Sequence, residues 1–569
     1  MYSVTIPHTV SVITPFERKM AWGSSPGHAG PQLHVYKDLS PHSAFVHGLV
    51  LPTMSVMSVD IALGAICLFT LGLWAYLSRT MRDRLRQPPG PPGLPLIGNL
   101  KDMPSDEAWL TYIKWSQQYD SGMIRLNVFG TNMIVVNSLE IAVDLFDRRS
   151  SIYNDRPRLI MLNELSGFGW GAAFTPYSDF WRAIRKAFHQ TIGPENMKRW
   201  IDVETRASHH LLRNLHESPD SFAKHIRHFS GEVIMRLAYG MDVQQEDDPY
   251  IDIAERGTHA ISATTNAGSY LVDVIPILKY VPEWFPGAKF KREAKAWRML
   301  ATAMLNQPFD FVKKQLELGD LPLCAASLLL DRMDNEAQDR LDVESVLKST
   351  LGSMYAAGAD TTVSTLLSFI LAMVLHPEIQ KKAHKEVDQI LGARRLPSFS
   401  DRHALPYIDA IVNECLRWHP VIPLSVPHRL MQDDEYKGYF LPKGSLLIPN
   451  SWAILHDENV YPNPLIFNPD RFLKDGVRNP DVPDPEVSFG FGRRLCPGRF
   501  MAKESLWIAI ASLLATFEFR KSIGPDGSPI TPEEEYIPGF LSHPKPFPCD
   551  IRPRSEERVA LILTNESDA

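Results

Sequence analysis

Cysteine is scarce in this chain. Its five thiols, Cys67, Cys324, Cys415, Cys496 and Cys549, are scattered over 569 residues with no C-x-x-C pair, which excludes both a disulfide framework and a metal site built on paired cysteines. A reducing, cytosolic setting fits such usage, and four of the five read as small buried hydrophobes. Excess positive charge is also missing. The formal net charge is -7, so the domain as a whole lacks the basic footprint of a nucleic-acid binder. There is no Gly-x-Gly-x-x-Gly fingerprint, hence no dinucleotide-binding or flavin domain within the chain. Internal repeats are absent, and so is any second proline-rich linker beyond residue 100. One large, mainly helical domain over 101–555 is therefore expected.

What is present begins with an ordinary globular composition, 44% hydrophobic and 22% charged, ample for a core that encloses a bulky cofactor. Residues 1–56 carry scattered prolines and histidines without a hydrophobic period, so little stable structure is expected there. Met57 directly precedes the next feature, and a product starting at Met57 would make 1–56 a gene-model extension. From Ile61 to Leu77 the sequence IALGAICLFTLGLWAYL is free of charge, and about 17 such residues stand at the short end of what spans a bilayer. Trp74 and Tyr76 close it and no small-residue cleavage pattern comes after it, so residues 57–78 read as a transmembrane anchor rather than a signal peptide or a core helix. Arg79, Arg82, Arg84 and Arg86 come next, and positive flanks of this kind keep the downstream chain in the cytosol. A basic, proline-rich hinge occupies 79–100, where Pro88-Pro89-Gly90-Pro91-Pro92-Gly93-Leu94-Pro95 predicts a stiff extended connector. The tail 556–569 holds a sequon, Asn565-Glu566-Ser567, a chance match on this topology because the acceptor must reach the lumen.

Within the domain, long helical patterns dominate, with short strand-like pieces near 121–137 and 436–450. The clearest helix runs from Val343 to Leu375 and is stopped by Pro377; about 33 residues correspond to roughly 50 Å, enough to cross the whole domain. The strongest chemical motif is Phe489-Gly490-Phe491-Gly492-Arg493-Arg494-Leu495-Cys496-Pro497-Gly498, a cysteine where a glycine-rich loop enters an apolar helix, Met501 to Phe517. Unpaired N–H groups and the positive end of the helix dipole favour a thiolate there and are expected to lower its pKa. Pro497 suits a first helical turn. Gly492 and Gly498 would let backbone approach a flat cofactor, and Phe489 would pack on the sulfur. A single thiolate ligand points to haem rather than zinc or an iron–sulfur cluster.

This loop resembles that of the cytochrome P450 family, F-x-x-G-x-R-x-C-x-G, matched at Phe489, Gly492, Arg494, Cys496 and Gly498. The resemblance implies the P450 fold, mainly α with small β-sheets, behind an N-terminal transmembrane helix, and haem b with Cys496 as its iron ligand. It implies that Arg494 pairs with a haem propionate. Trp181 and Arg185 reproduce the family's W-x-x-x-R, and His428, in Pro427-His428-Arg429, matches another propionate contact; the plainer alternatives are a core tryptophan and a surface histidine. Ala357-Gly358-Ala359-Asp360-Thr361-Thr362 interrupts the long helix with poor helix formers. There Gly358 would leave a gap for dioxygen, and in the family an Asp360–Thr361 pair delivers protons to it. Glu414-Cys415-Leu416-Arg417 matches the family's structural E-x-x-R pair, with Arg471 in Phe467-Asn468-Pro469-Asp470-Arg471-Phe472 as the third member. Asp470 stands where the family more often has glutamate.

By the same resemblance the substrate pocket draws on Tyr153–Tyr177, Ser353–Ala357, Val421–Val426 and Gly539–Phe540, apolar or small stretches that imply an apolar small-molecule substrate. The reaction implied is insertion of one atom of dioxygen, with NADPH electrons supplied through the flavins of a separate NADPH–cytochrome P450 reductase, and cytochrome b5 as a further candidate donor. Arg493, Arg499, Lys503 and Lys186 would offer a local basic docking face. Tyr280 to Gly287, aromatics among breakers, would dip into membrane lipid or pack on the domain. The anchor and the segment LVDVIPILKYVPEWFPGAKFKR look like fungal microsomal members of secondary metabolism or xenobiotic oxidation, single-pass in the endoplasmic reticulum. A P450-like isomerase or dehydratase would not need Asp360 and Thr361; a haem-binding sensor or carrier would not consume NADPH.

Overall fold

The computed structural model describes residues 63–74, 77, 87–265, 269–333 and 342–564, and the chain divides into two compact units, Met1–Tyr76 and Leu77–Ala569. In the first unit the described residues form one apolar helix, Leu63–Trp74, whose large side chains are exposed. Of the expected span Ile61–Leu77 the described residues are 63–74 and 77, all helical, and these alone are fewer than the roughly 20 that crossing a bilayer takes. Met57, the four flanking arginines and the sequon Asn565-Glu566-Ser567 lie outside the described residues.

The second unit is built on helices. Those that matter for the site are α1 (Asp179–Ile192), α2 (Ile201–Glu217), α3 (Phe222–Tyr239), α4 (Pro249–Thr265), α5 (Lys289–Leu318), α6 (Val343–Leu375), α7 (Pro406–Trp418) and α8 (Arg499–Thr516). The bounds of α6 are those expected from sequence, and Pro377 ends it by opening the next helix. Its apolar and small residues run all round the helix, which is how a central rather than a surface helix reads. By length and composition α6 would pass as a membrane span, yet most of it is buried within the protein, against α3, α4, α5 and α8. The α8 helix is likewise buried over most of its circumference. Amphipathic α1 is capped by the Ser178 hydroxyl, which accepts the Trp181 N–H at 3.2 Å, and buries Trp181, Ile184, Ala187, Phe188 and Ile192 along one face.

Strands are few and short. The largest sheet has the order β1 (Met123–Val128), β2 (Thr131–Val136), β4 (Leu446–Pro449), β3 (His428–Arg429), with β2 and β4 parallel, Met133 opposite Leu446. Two antiparallel pairs lie near the C-terminus, β5 (Phe517–Arg520) with β8 (Asp550–Pro553) and β6 (Tyr536–Ile537) with β7 (His543–Pro544). The architecture is mainly α with small sheets. The proline-rich run has no regular structure over 88–93 and turns back on itself between Leu94 and Gly98, and it is docked rather than free-standing. The Pro89 carbonyl accepts the Arg125 N–H at 2.8 Å, and Gly98, at φ +61°, bridges to Val128.

Candidate active site

A cavity of about 350 Å³ opens between α6, α1 and the loop that feeds α8, and its walls bring together Cys496, Arg494, Arg185, Trp181, His428, Phe489, Gly498 and Thr361. Asp360, Glu414, Arg417 and Arg471 do not line it.

On one wall the loop 489–498 presents the thiol. The Cys496 N–H donates to the Phe489 carbonyl at 2.9 Å, which closes the loop under the sulfur, and the backbone N–H groups of Gly498 and Arg499 point at the sulfur from the start of α8. Burial nevertheless dominates and raises the thiol's pKa; the two N–H groups and the Arg185 and Arg499 guanidiniums pull it back only in part. The expected net lowering is thus overturned: helix-end stabilisation is present, but it is smaller than the cost of an unpaired anion in an apolar cavity. A cation at the sulfur would reverse that balance. Pro497 precedes the N-cap residue, Gly498, instead of occupying the first turn. Gly492 serves the protein rather than a cofactor, for it sits at φ +51° and any Cβ there would run into the Phe146 carbonyl. Gly498 does face the cavity, and its Cβ would stand 3.9 Å from the sulfur.

A second wall is cationic. Arg494 is buried, donates from Nε to the Asn154 carbonyl at 2.7 Å, and lies 4.1 Å over the Trp181 ring, while its buried Nη2 has no partner among the described residues. Burial pulls its pKa down to about 10. The His428 Nδ1–H donates to the Tyr153 carbonyl at 2.7 Å, and burial, with Arg156 and Arg494 nearby, holds this ring well below the usual histidine range. Arg185 is held down by burial and raised by the Cys496 sulfur. Trp181 departs from expectation, because its indole N–H is committed to the Ala172 carbonyl at 3.2 Å; here it serves as the platform under Arg494. His428 is buried, not a surface histidine. Sequence reading missed Arg156, which is buried in the same wall and donates to the Ala173, Val426 and Pro427 carbonyls at 2.8 Å. It lies in an irregular loop, where no periodicity marks a buried arginine.

This wall fits haem. Several buried cations with an unspent Nη2 are a poor arrangement alone and a favourable one around two carboxylates, and a lone sulfur opposite a helix suits one axial metal ligand.

The third wall is the middle of α6. Thr361 faces the cavity and its hydroxyl donates to the Ala357 carbonyl at 2.9 Å, within its own helix. Gly358 leaves less of a gap than expected, since a Cβ there would stand 2.7 Å from Ile234 of α3. The Gly358 carbonyl also accepts the Ser230 hydroxyl at 2.7 Å. Asp360 turns away. Its Oδ1 accepts from Arg227 Nη1 and its Oδ2 meets His543 Nε2, each at 3.1 Å, and these two partners outweigh burial to hold the carboxyl below its ordinary pKa. An acid–alcohol pair at the cavity is therefore split here, with Thr361 inside and Asp360 behind it, because neighbours on a helix point about 100° apart.

Away from the cavity, Arg417 grips Glu414 with two bonds, Nε at 2.8 Å and Nη2 at 2.9 Å. Arg471 Nε approaches the same carboxylate at 3.2 Å. Of the pocket stretches expected from sequence, Trp170 to Phe174, Ser353, Met354, Val421, Ile422, Val426 and Phe540 line the cavity, whereas Tyr153 and Tyr177 do not. In the basic face, Lys503 is ion-paired to Glu486, Arg493 bonds the Tyr177 hydroxyl at 3.0 Å and Arg499 bonds the Cys496 carbonyl at 3.2 Å.

Comparison with known proteins agrees with this geometry. The family model described as cytochrome P450 matches residues 88–550. A cytochrome P450 monooxygenase of Armillaria gallica is 42% identical over 500 residues, 87% of this chain and 97% of that protein. Cytochrome P450 monooxygenase 98 of Postia placenta is 42% identical over 91% of this chain and its full length. The tryptamine 4-monooxygenase of Psilocybe cyanescens is 38% identical over 89% of this chain and 99% of its own.

Proposed function

This chain belongs to the cytochrome P450 family of monooxygenases, oxidoreductases that incorporate molecular oxygen, and on that premise we propose that it oxygenates an apolar, partly aromatic small molecule. Electrons would come from NADPH through a separate NADPH–cytochrome P450 reductase, with cytochrome b5 as a second candidate donor. The setting is fungal secondary metabolism or xenobiotic oxidation, in line with the organisms of its relatives. The observation that carries the reading is one cavity with a thiol on one wall, a buried guanidinium whose Nη2 has no partner among the described residues on the second and a helical threonine on the third. A haem bound there supplies activation of dioxygen, which no side chain of the chain provides.

The chain's own residues have separate tasks. Cys496 would supply the sulfur that ligates the haem iron, from a partly buried position in the cavity wall. Arg494, Arg185 and His428 hold the two propionates, and for His428 this requires the ring to be protonated, because its Nδ1–H is already spent on Tyr153; the anion it faces would restore that proton. Thr361 holds a proton at the cavity face of α6, and Asp360 supplies it from behind. Phe168, Trp170, Phe174, Phe229 and Phe540 give the substrate space apolar and aromatic walls, so bulky apolar compounds gain most from entering. The test is the spectrum of the reduced protein with carbon monoxide, then product analysis under labelled dioxygen with a reductase. The expected outcome is the strongly red-shifted band of a thiolate ligand and one labelled atom in the product. A band without any NADPH-dependent product from a broad compound panel would favour the sensor or carrier reading.

Membrane attachment belongs to the same proposal. Residues 57–78 would anchor the chain in the endoplasmic reticulum, and a second contact would come from Ile277 and Tyr280 of the helical turn Pro276–Tyr280 and Trp284 of the loop after it, which are 72%, 75% and 80% exposed. Exposed aromatics beside Lys289, Lys291 and Arg292 suit a lipid headgroup boundary. Deleting residues 1–78 is expected to leave part of the protein in the membrane pellet, and adding Ile277→Ser, Tyr280→Ser and Trp284→Ser to release it. Identical sedimentation of the two proteins would remove the second contact.

A further inference from the structure

Asp360 is buried, with a side chain only 9% exposed, and one residue separates it from the cavity-lining Gly358 on one side while Thr361 adjoins it on the other. The charged and titratable groups that face it, among the described residues, are Arg227 from α3 and His543 from β7, with Glu255 of α4 behind Arg227 at 3.4 Å. Arginine stays protonated at any physiological pH, so it can hold the carboxylate but not feed it. Imidazole can both take up and release a proton, and the His543 side chain is 19% exposed against 9% for Asp360, so it is the more open of the two to water. Its position is fixed from both sides of the strand start: the Ser542 N–H donates to the Val421 carbonyl at 2.8 Å, and the Ser542 carbonyl accepts the Ser364 hydroxyl of α6 at 2.5 Å. The ring is thereby held against α6 at the level of Asp360.

We propose that His543 is the group through which Asp360 exchanges protons with solvent, a positioning and proton-feeding residue on the far side of α6 from the substrate. In the step, the Nε2–H bond of the imidazolium breaks and an O–H bond forms on Asp360 Oδ2. The ring is left neutral with Nδ1 still protonated, and the carboxyl, now neutral, loses its attraction to Arg227 and is free to turn toward Thr361. Once the carboxyl has turned, Nε2 takes its next proton from water. The step needs a ring that can hold and release a proton, so its pH dependence requires an imidazole at position 543. The inference rests on the reading of Asp360 and Thr361 as the proton relay.

The test uses the full haem-loaded chain with a reductase and compares wild type, Asp360→Asn and His543→Gln. Product formed per NADPH consumed is expected to fall about a hundredfold in Asp360→Asn and about tenfold in His543→Gln, within and just below the range of a positioned proton donor. The wild-type pH dependence should be absent in His543→Gln, which has no titrating ring. Histidine C2–H exchange read by mass spectrometry, independent of turnover, should show a lower His543 pKa in Asp360→Asn than in wild type. Unimpaired coupling in Asp360→Asn would overturn the relay itself. Impaired Asp360→Asn beside a His543→Gln with wild-type coupling and pH profile would overturn the role of His543 alone. If His543→Gln fails to give the carbon monoxide band, the exchange measurement decides: an unshifted His543 pKa overturns the pairing.

Discussion

Cys496→Ser is expected to leave a folded protein that no longer oxygenates. The replacement is nearly isosteric, and the bonds that shape the loop are backbone bonds: Cys496 N–H to the Phe489 carbonyl at 2.9 Å, and the Leu495 N–H to the Gly492 carbonyl at 3.1 Å. A serine hydroxyl can accept the Gly498 N–H as the sulfur does, so the unloaded protein should lose no more than about 1 kcal/mol, the worth of one modest hydrogen bond. What changes is ionisation. Even the thiol is held above its ordinary pKa by burial, and an alcohol in the same place stays neutral. A haem held there would then meet a neutral oxygen in place of an electron-rich anion and would lack the thiolate's electron donation. The reduced carbon monoxide spectrum should lose its red shift, and product formation should fall by several orders of magnitude while the melting temperature of the unloaded protein barely moves. A serine variant that kept both the shifted band and the rate would sink the assignment of Cys496.

How far the sequence revealed this molecule depends on whether a residue acts locally or across the fold. The bounds of helix α6 were legible because a long helical pattern and the stop at Pro377 are local marks. The cysteine loop was legible for the same reason, and Glu414 with Arg417 because three residues along a helix share a face. What escaped are pairings over long separations. Nothing near His543 announces that it meets Asp360, 183 residues earlier, and nothing near Arg156 announces three carbonyl partners, two of them in the 426–427 turn. The sign of the Cys496 shift escaped for a related reason. The helix end that lowers a thiol's pKa is visible in sequence, but the desolvation that wins is set by walls from α1, α6 and α8 together. Trp181 shows the same limit, since its spacing from Arg185 is local while its bond to Ala172 depends on how the preceding loop folds back.

Removing Glu414 is expected to be the most destabilising single change outside the cavity. Arg417 and Glu414 have no exposed side-chain surface and Arg471 only 5%, so among the described residues the carboxylate is the one anion paired with these two buried guanidiniums. It also accepts the Asn468 N–H at 2.7 Å. In Glu414→Leu both cations stay buried without it. Arg417 keeps the Leu455 carbonyl at 3.1 Å and Arg471 keeps the Pro462 carbonyl at 2.8 Å, bonds that satisfy donors but cancel no charge. Breaking a buried pair by removing one partner costs about 3–5 kcal/mol, a large share of the roughly 5–15 kcal/mol that keeps a domain folded. Arg471→Leu should cost less, because the bidentate Arg417–Glu414 pair survives it, and Glu414→Leu with Arg417→Met should recover part of the loss, because replacing both partners by apolar groups leaves only Arg471 without a counter-charge. Urea midpoints should therefore be lowest for Glu414→Leu, higher for the double variant and highest for Arg471→Leu. Haem incorporation during expression should rank the three in the same way, since α7 ties the core to the 468–471 segment that precedes the cysteine loop. A Glu414→Leu protein as stable as Arg471→Leu would mean that the carboxylate is not what holds the two arginines in place.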